Sequence, residues 1–284
     1  MGSVATYLSF IRFSHSVFAL PFALTGALLA WQAAPFEWRQ IGWVIVAMVA
    51  ARSAAMGFNR LVDARMDALN PRTAMREIPR GMLSRREATV FVVLTSLVFM
   101  FAATQLNPLC GMLSPLALLI VFWYSLAKRF TSYTQAFLGL AMAVAPVGGW
   151  LAAGGPISAP EPWLLGLAIG LWVGGFDILY ACQDVDFDRA NGLNSIPVRF
   201  GVPRSLRISR VMHIATIGCM LALAWLQPLG PIYIGGVVLV AALLFYEQSL
   251  VSEDDLSQVK RAFDVNGWVG ILYFAATGLA LYVR

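Results

Sequence analysis

The chain has 284 residues, of which 59% are hydrophobic and 12% are charged, and its mean hydropathy is +0.73. In a soluble domain about a quarter of the residues are charged, so this composition excludes a soluble globular protein as well as a disordered or collagen-like chain. Three cysteines are too few and odd in number for a disulfide framework. The net charge of +5 does not indicate a nucleic-acid partner, because basic residues that collect between apolar segments follow from membrane topology. The composition predicts an integral membrane protein.

Apolar segments of spanning length follow one another along the whole chain. A membrane helix needs about 20 mostly apolar residues. The segments are 14–34, 41–66, 88–106, 110–127, 134–153, 162–186, 209–227, 231–250 and 264–283, numbered here as spans 1 to 9. They leave no room for a soluble domain or a long linker. We therefore predict an all-α integral membrane protein with nine transmembrane helices and a single domain over residues 1–284.

The basic residues are distributed very unevenly around these spans. When the arginines at the end of span 2 are counted with the connection after it, 18 of the 20 Lys and Arg residues lie before span 1 or around the connections that follow spans 2, 4, 6 and 8. Only Arg39 and Arg284 lie on the opposite side. Basic connections remain in the cytoplasm. We therefore expect a protein of the cell (inner) membrane whose amino terminus and functional residues face the cytosol, with the carboxyl terminus outside.

Two acidic motifs stand at the cytoplasmic ends of spans 2 and 6. The first, NRLVDARMD, places Asn59, Asp63 and Asp67 four residues apart. The second, DILYACQDVDFD, repeats that spacing with Tyr180, Asp184 and Asp188. Helical residues four apart are separated by about 6 Å along the axis and only about 40° around it. Each motif is therefore expected to present its polar side chains on one helix face.

So many carboxylates near hydrocarbon indicate a bound cation. Ionised groups in this setting are costly unless they are compensated, and two acidic groups repel each other unless a divalent ion lies between them. Asp and Asn oxygens suit Mg²⁺, whereas both motifs lack the His and Cys ligands typical of zinc. The predicted metal ligands are Asn59, Asp63, Asp67, Asp184 and Asp188. The alternative, solvated carboxylates at helix ends, stays open for either motif alone.

Basic side chains accompany both acidic motifs. The loop NPRTAMREIPRG directly after the first motif contains Arg72 and Arg76, and the sequence YSLAKR after span 4 places Tyr124 and Lys128 four residues apart. Arginine and lysine are common phosphate ligands. Acidic residues, magnesium and cations together predict a diphosphate site, although the arginines would also be explained by topology alone.

These motifs resemble those of the UbiA superfamily of intramembrane prenyltransferases. Its first motif, NxxxDxxxD, is matched by Asn59, Asp63 and Asp67; its second, DxxYxxxDxxxD, by Asp177, Tyr180, Asp184 and Asp188; and its YxxxK element by Tyr124 and Lys128. The motifs fall in spans 2, 6 and 4 of a nine-span chain. The resemblance therefore covers essentially the whole sequence.

The resemblance implies a helical bundle around a central cavity that opens to lipid. Mg²⁺ held by both motifs would bind a polyprenyl diphosphate and stabilise the diphosphate as the allylic C–O bond breaks. The allylic carbon would then bond to an electron-rich aromatic ring, which loses a proton. Tyr124 and Lys128 would bind the diphosphate by resemblance, whereas Arg72 and Arg76 are assigned to it from charge.

Asp177 lies deeper in span 6 than the other acidic residues. It would hold the acceptor or accept the ring proton, and we count it with Lys128 and Tyr124 as candidate catalytic residues. An ion pair between Asp177 and Arg12, Arg52 or Arg60 is the structural alternative.

The acceptor is the least determined part of the prediction. The strings NPRTAMREIPRG and GLNSIPVRFG are most similar to 4-hydroxybenzoate polyprenyltransferases and to MqnP-type enzymes. The resemblance therefore implies quinone biosynthesis, with 4-hydroxybenzoate in the ubiquinone pathway as the expected acceptor and a naphthoate in the menaquinone pathway as the alternative. Two other classes of membrane protein are alternatives. A secondary transporter would place its acidic residues near the middle of the bilayer. The sequence pattern of CDP-alcohol phosphotransferases is matched only faintly, at Asp63, Ala64 and Arg65.

Overall fold

The structure, a computed structural model, describes residues 3–11, 19–31 and 38–283. All regular elements within these ranges are helical. The α-helices are α1 (Val4–Phe10), α2 (Leu20–Ala30), α3 (Trp38–Leu69), α4 (Arg85–Leu106), α5 (Pro108–Ala127), α6 (Thr134–Ala152), α7 (Glu161–Ala181), α8 (Val185–Ala190), α9 (Ile196–Phe200), α10 (Val202–Leu226), α11 (Gly230–Ser249) and α12 (Val259–Tyr282). A 3₁₀ turn, Cys182–Asp184, joins α7 to α8.

The predicted all-α membrane architecture is confirmed. Among the described residues, eight helical segments are long and apolar enough to cross a membrane, with α7 and α8 counted together. The shorter apolar helix α2 lies within predicted span 1, and the residues on both sides of it, 12–18 and 32–37, are outside the described ranges. These nine segments follow the nine predicted spans in order. Arg12, one alternative partner for Asp177, is also outside the described residues.

The described helices group into two compact units. The first unit takes its residues from 1–16 and 37–126, and contains α1, α3, α4 and α5. Its centre is the long packing contact between α3 and α4. At one end, Phe10 and Ile11 pack with Leu83 and Ala88 in a buried apolar cluster, so that α1 is joined to the connection between α3 and α4.

The second unit takes its residues from 17–36 and 127–284, and contains α2 and α6 to α12. Helix α6 packs against α2 and α7, α7 packs against α10, and α11 packs against α12. Trp172 of α7 is fully buried; its ring centroid is 5.0 Å from that of Phe22, and its Nε1 donates a hydrogen bond to Asn266 Oδ1 over 2.7 Å. These contacts hold α7, which leads into the second acidic motif, in the interior of this unit.

Candidate active site

The first acidic motif lies wholly within α3, which continues to Leu69, three residues past the predicted end of span 2. Asn59 Nδ2 donates to Asp63 Oδ2 over 3.5 Å, as expected for side chains one turn apart on the same helix face. Asp63 is only 2% exposed and Asp67 only 6%. Two carboxylates so far from solvent require compensating positive charge.

The loop after α3 folds back onto this motif. Arg76 Nη1 donates to both Oδ1 and Oδ2 of Asp67 over 2.8 Å. Thr73 Oγ1 donates to the backbone carbonyl oxygen of Asp67 over 3.1 Å. Arg72 is exposed on the same loop, and its backbone N–H donates to Asn70 Oδ1 over 2.9 Å. The structure therefore brings Arg76 to the acidic motif, where the sequence predicted only that it would be near a diphosphate.

A second buried ion pair anchors the same loop, and our sequence reasoning missed it. Glu77 is 6% exposed and pairs with Arg60, which is 5% exposed. Ser9 Oγ of α1 donates to Glu77 Oε1 over 2.6 Å, and the Arg60 guanidinium lies 5.8 Å from the ring centroid of Phe10. Arg60, named above as a possible partner of Asp177, forms this ion pair with Glu77. The available signal was a single acidic residue in an otherwise basic loop.

The second acidic motif differs from its prediction. Helix α7 ends at Ala181, between Tyr180 and Asp184, and the 3₁₀ turn precedes the short helix α8. Asp184 itself has φ −103° and ψ 4°. A 3₁₀ turn advances about 20° more per residue than an α-helix, so the polar side chains do not follow one straight helical stripe. Asp177, Tyr180, Asp184 and Asp188 are all half-buried.

The backbone of Lys128 is hydrogen-bonded to the segment that follows the second motif. The backbone N–H of Asn194 donates to the carbonyl oxygen of Lys128 over 2.9 Å, and Asn194 Nδ2 donates to the same oxygen over 3.3 Å. Leu193 N–H in turn donates to the carbonyl oxygen of Asp188 over 2.9 Å. The second unit thus links Lys128 to Asp188 through the backbone of residues 188–194. Tyr124 is half-buried in the last turn of α5, in the first unit.

The chemistry of the donor groups fits a hard divalent cation. The first motif offers the amide oxygen of Asn59 and the carboxylates of Asp63 and Asp67, and such oxygen ligands suit Mg²⁺. Within either unit, the described residues include no group of three or more His, Cys, Asp or Glu side chains arranged to hold a metal ion. The metal-ligand assignment remains a prediction.

Comparisons with known proteins agree with this reading of the sequence. The family model described as the UbiA prenyltransferase family matches residues 19–277. A 4-hydroxybenzoate octaprenyltransferase of Tolumonas auensis is 34% identical over 229 residues, which cover 81% of this chain and 79% of that one. One from Vibrio cholerae serotype O1 is 30% identical over 259 residues, which cover 91% and 90% of the two chains.

Solved structures agree as well. The apo structure of a UbiA homolog from Aeropyrum pernix K1 is 36% identical and has a TM-score of 0.85, with coverage of 93% of this chain and 96% of that one. A UbiA homolog from Archaeoglobus fulgidus, solved with GPP and Mg²⁺, has the same fold with a TM-score of 0.76, at 20% identity and coverage of 98% and 99%. The chain belongs to the UbiA prenyltransferase family and is an enzyme that transfers prenyl groups.

Proposed function

We propose that this protein is a magnesium-dependent aromatic polyprenyltransferase that moves a polyprenyl group from a polyprenyl diphosphate to 4-hydroxybenzoate in ubiquinone biosynthesis. The observation that carries the proposal is the buried pair of carboxylates, Asp63 and Asp67, with Arg76 bound to Asp67. The acceptor is suggested by the 4-hydroxybenzoate octaprenyltransferases that share 30% to 34% identity with this chain. The MqnP-type reaction, with a naphthoate acceptor in menaquinone synthesis, is the alternative within the same family.

The two acidic motifs supply the metal ligands in this proposal. Asn59, Asp63 and Asp67 come from the first motif, and Asp184 and Asp188 come from the second. Bound Mg²⁺ would neutralise the negative charge that grows on the diphosphate as the C–O bond breaks. The A. fulgidus homolog, which was solved with GPP and Mg²⁺, supports this assignment at the level of the shared fold.

Basic and hydroxyl side chains complete the diphosphate site. Lys128, Tyr124, Arg72 and Arg76 bind phosphate oxygens. The positive charges of Lys128 and the two arginines favour the leaving diphosphate over the intact donor, and the Tyr124 hydroxyl donates a hydrogen bond. Asp177 orients the aromatic acceptor or accepts the ring proton. Half-burial of Asp177 on α7 is compatible with either role.

The proposal takes residues 1–284 as one transmembrane domain in the cell membrane, with the site facing the cytosol. The matched family region, 19–277, spans nearly the whole chain. The isoprenoid tail of the donor would lie among membrane lipids, whereas its diphosphate would meet charged residues at the cytoplasmic surface. No nucleic acid takes part in this reaction.

An assay with membranes that contain the protein tests the proposal directly. Polyprenyl diphosphate, 4-hydroxybenzoate and Mg²⁺ are expected to give a prenylated ring and free diphosphate, and chelation of the metal should stop the reaction until Mg²⁺ is restored. Loss of one charge-stabilising group typically lowers a rate by about a hundredfold or more. We expect at least that loss in Asp63→Ala and in Asp184→Ala.

Asp186→Ala is the matched control. Asp186 lies two residues after Asp184, but its side chain is fully exposed and 3.9 Å from that of Arg189, so product formation should persist. Undiminished product from Asp63→Ala would contradict the metal assignment. Turnover with a naphthoate acceptor alone would select the MqnP-type reaction.

A further inference from the structure

We propose that Arg76 is an internal counter-ion of Asp67 that a divalent cation must displace, so that Arg76 couples metal binding to diphosphate binding. The inference rests on the proposed function, because it takes Asp67 as a metal ligand and Arg76 as a diphosphate ligand. It adds that the Arg76 guanidinium and the metal compete for the carboxylate of Asp67.

The geometry shows why Arg76 and a cation compete for Asp67. A single nitrogen, Arg76 Nη1, donates to both carboxylate oxygens of Asp67 over 2.8 Å. A cation bound to Asp67 would lie beside this guanidinium, and two positive charges at a few ångströms repel each other strongly where solvent is excluded. Because Arg76 engages both oxygens of Asp67, we expect its side chain to leave Asp67 as the cation binds.

The guanidinium is only partly satisfied where it stands. Arg76 Nε is buried and has no hydrogen-bond partner among the described residues. Asp67 is its salt-bridge partner, and a guanidinium offers five N–H donors in a fork that fits phosphate oxygens closely. A diphosphate could accept hydrogen bonds from N–H groups of Arg76 that do not bind Asp67, such as Nε. Exchange of Asp67 for a diphosphate would therefore give Arg76 more hydrogen bonds.

The loop backbone is held on both sides of Arg76. Thr73 Oγ1 donates a hydrogen bond to the backbone carbonyl oxygen of Asp67 over 3.1 Å, and Glu77 forms an ion pair with the buried Arg60. Movement of the Arg76 side chain alone is enough for the exchange, and the loop need not open. Because the diphosphate draws Arg76 away from Asp67, it should favour metal binding, and linkage requires that the metal favours diphosphate binding by the same factor.

Binding of Mn²⁺ to the purified full-length protein, measured by electron paramagnetic resonance without substrate, tests this inference. Arg76→Met removes the competitor of the cation and should tighten Mn²⁺ binding by about tenfold, within the usual range of coupling between ligands. Arg80→Met is the matched control, because Arg80 carries the same charge on the same loop but is exposed. It should change the dissociation constant by less than about twofold, since exposed charges interact weakly.

Two more variants keep the test decisive. Arg76→Gln removes the charge while retaining a polar side chain, and it serves if Arg76→Met does not give a folded protein by gel filtration. In an Asp67→Asn background, Arg76→Met should no longer tighten Mn²⁺ binding, because the carboxylate for which the arginine and the cation compete is absent.

Steady-state turnover gives a second measurement. Arg76→Met should lower the apparent KM for Mg²⁺ and raise the KM for the prenyl diphosphate. General destabilisation would not produce opposite changes of this kind.

The outcomes separate the inference from the proposed function. Unchanged Mn²⁺ affinity in both Arg76 variants, together with loss of binding in Asp63→Asn, overturns the counter-ion role and leaves the metal site in place. Mn²⁺ binding that depends on neither Asp63 nor Asp67 overturns the metal assignment and the inference with it.

Discussion

Glu77 and Arg60 form an ion pair in which both side chains are almost fully removed from solvent. Removal of one partner from such a pair leaves an uncompensated buried charge, which costs about 3–5 kcal/mol. Glu77→Ala would also break the hydrogen bond from Ser9 and release the loop that carries Arg76. We expect this variant to lower the thermal unfolding midpoint in detergent by several degrees and to reduce transferase activity.

The exposed pair of Asp186 and Arg189, at 3.9 Å, provides the comparison. Solvent and salt screen such a pair, so Asp186→Asn should leave the unfolding midpoint unchanged. Equal midpoints for Glu77→Ala and the unchanged protein would show that Glu77 does not hold the loop. The corresponding amide variant, Glu77→Gln, should have an unfolding midpoint between those of Glu77→Ala and the unchanged protein, because it keeps hydrogen bonding but loses the charge.

Packing between α2 and α6 depends on glycine. A Cβ atom at Gly149 would collide with the backbone carbonyl oxygen of Ala23, whereas a Cβ at Gly148, the preceding residue, would meet nothing within 4 Å. Small residues allow membrane helices to approach this closely. Gly149→Ala must therefore push the helices apart, at a cost of about 1–3 kcal/mol for an overpacked interior site.

Thermal unfolding of the two alanine variants checks this packing argument. Gly149→Ala should have a clearly lower midpoint, while Gly148→Ala should equal or exceed the unchanged protein because alanine favours helix more than glycine does. Similar destabilisation by both substitutions would indicate that the loss comes from glycine itself and not from contact with α2.

At the scale of the whole molecule, the uneven distribution of basic residues predicts how the chain crosses the membrane. The short connection 250–258, between α11 and α12, should lie in the cytosol, and the carboxyl terminus should lie outside. Alkaline phosphatase fused after Arg284 should therefore be active, and the same enzyme inserted after Asp254 should be inactive. The reverse pattern would place the acidic motifs on the outer side and contradict the cytosolic site.

The sequence alone determined which segments are membrane helices and which residues are candidates for the site. Apolar length and a four-residue spacing are local properties, so the fold class and the stripe of Asn59, Asp63 and Asp67 could be predicted before any contact was known. The resemblance to a family added the reaction, because its motifs are short and their spacing is preserved here.

Only the tertiary structure decided what each of these residues faces. Arg76 binds Asp67, Arg60 pairs with Glu77, and the carbonyl oxygen of Lys128 accepts hydrogen bonds from Asn194, 66 residues further along the chain. The interruption of α7 before Asp184 was also not predictable from the regular spacing of the second motif. A periodic sequence indicates which side of a helix a residue occupies, but its partner depends on how loops fold back and which buried charges must be neutralised.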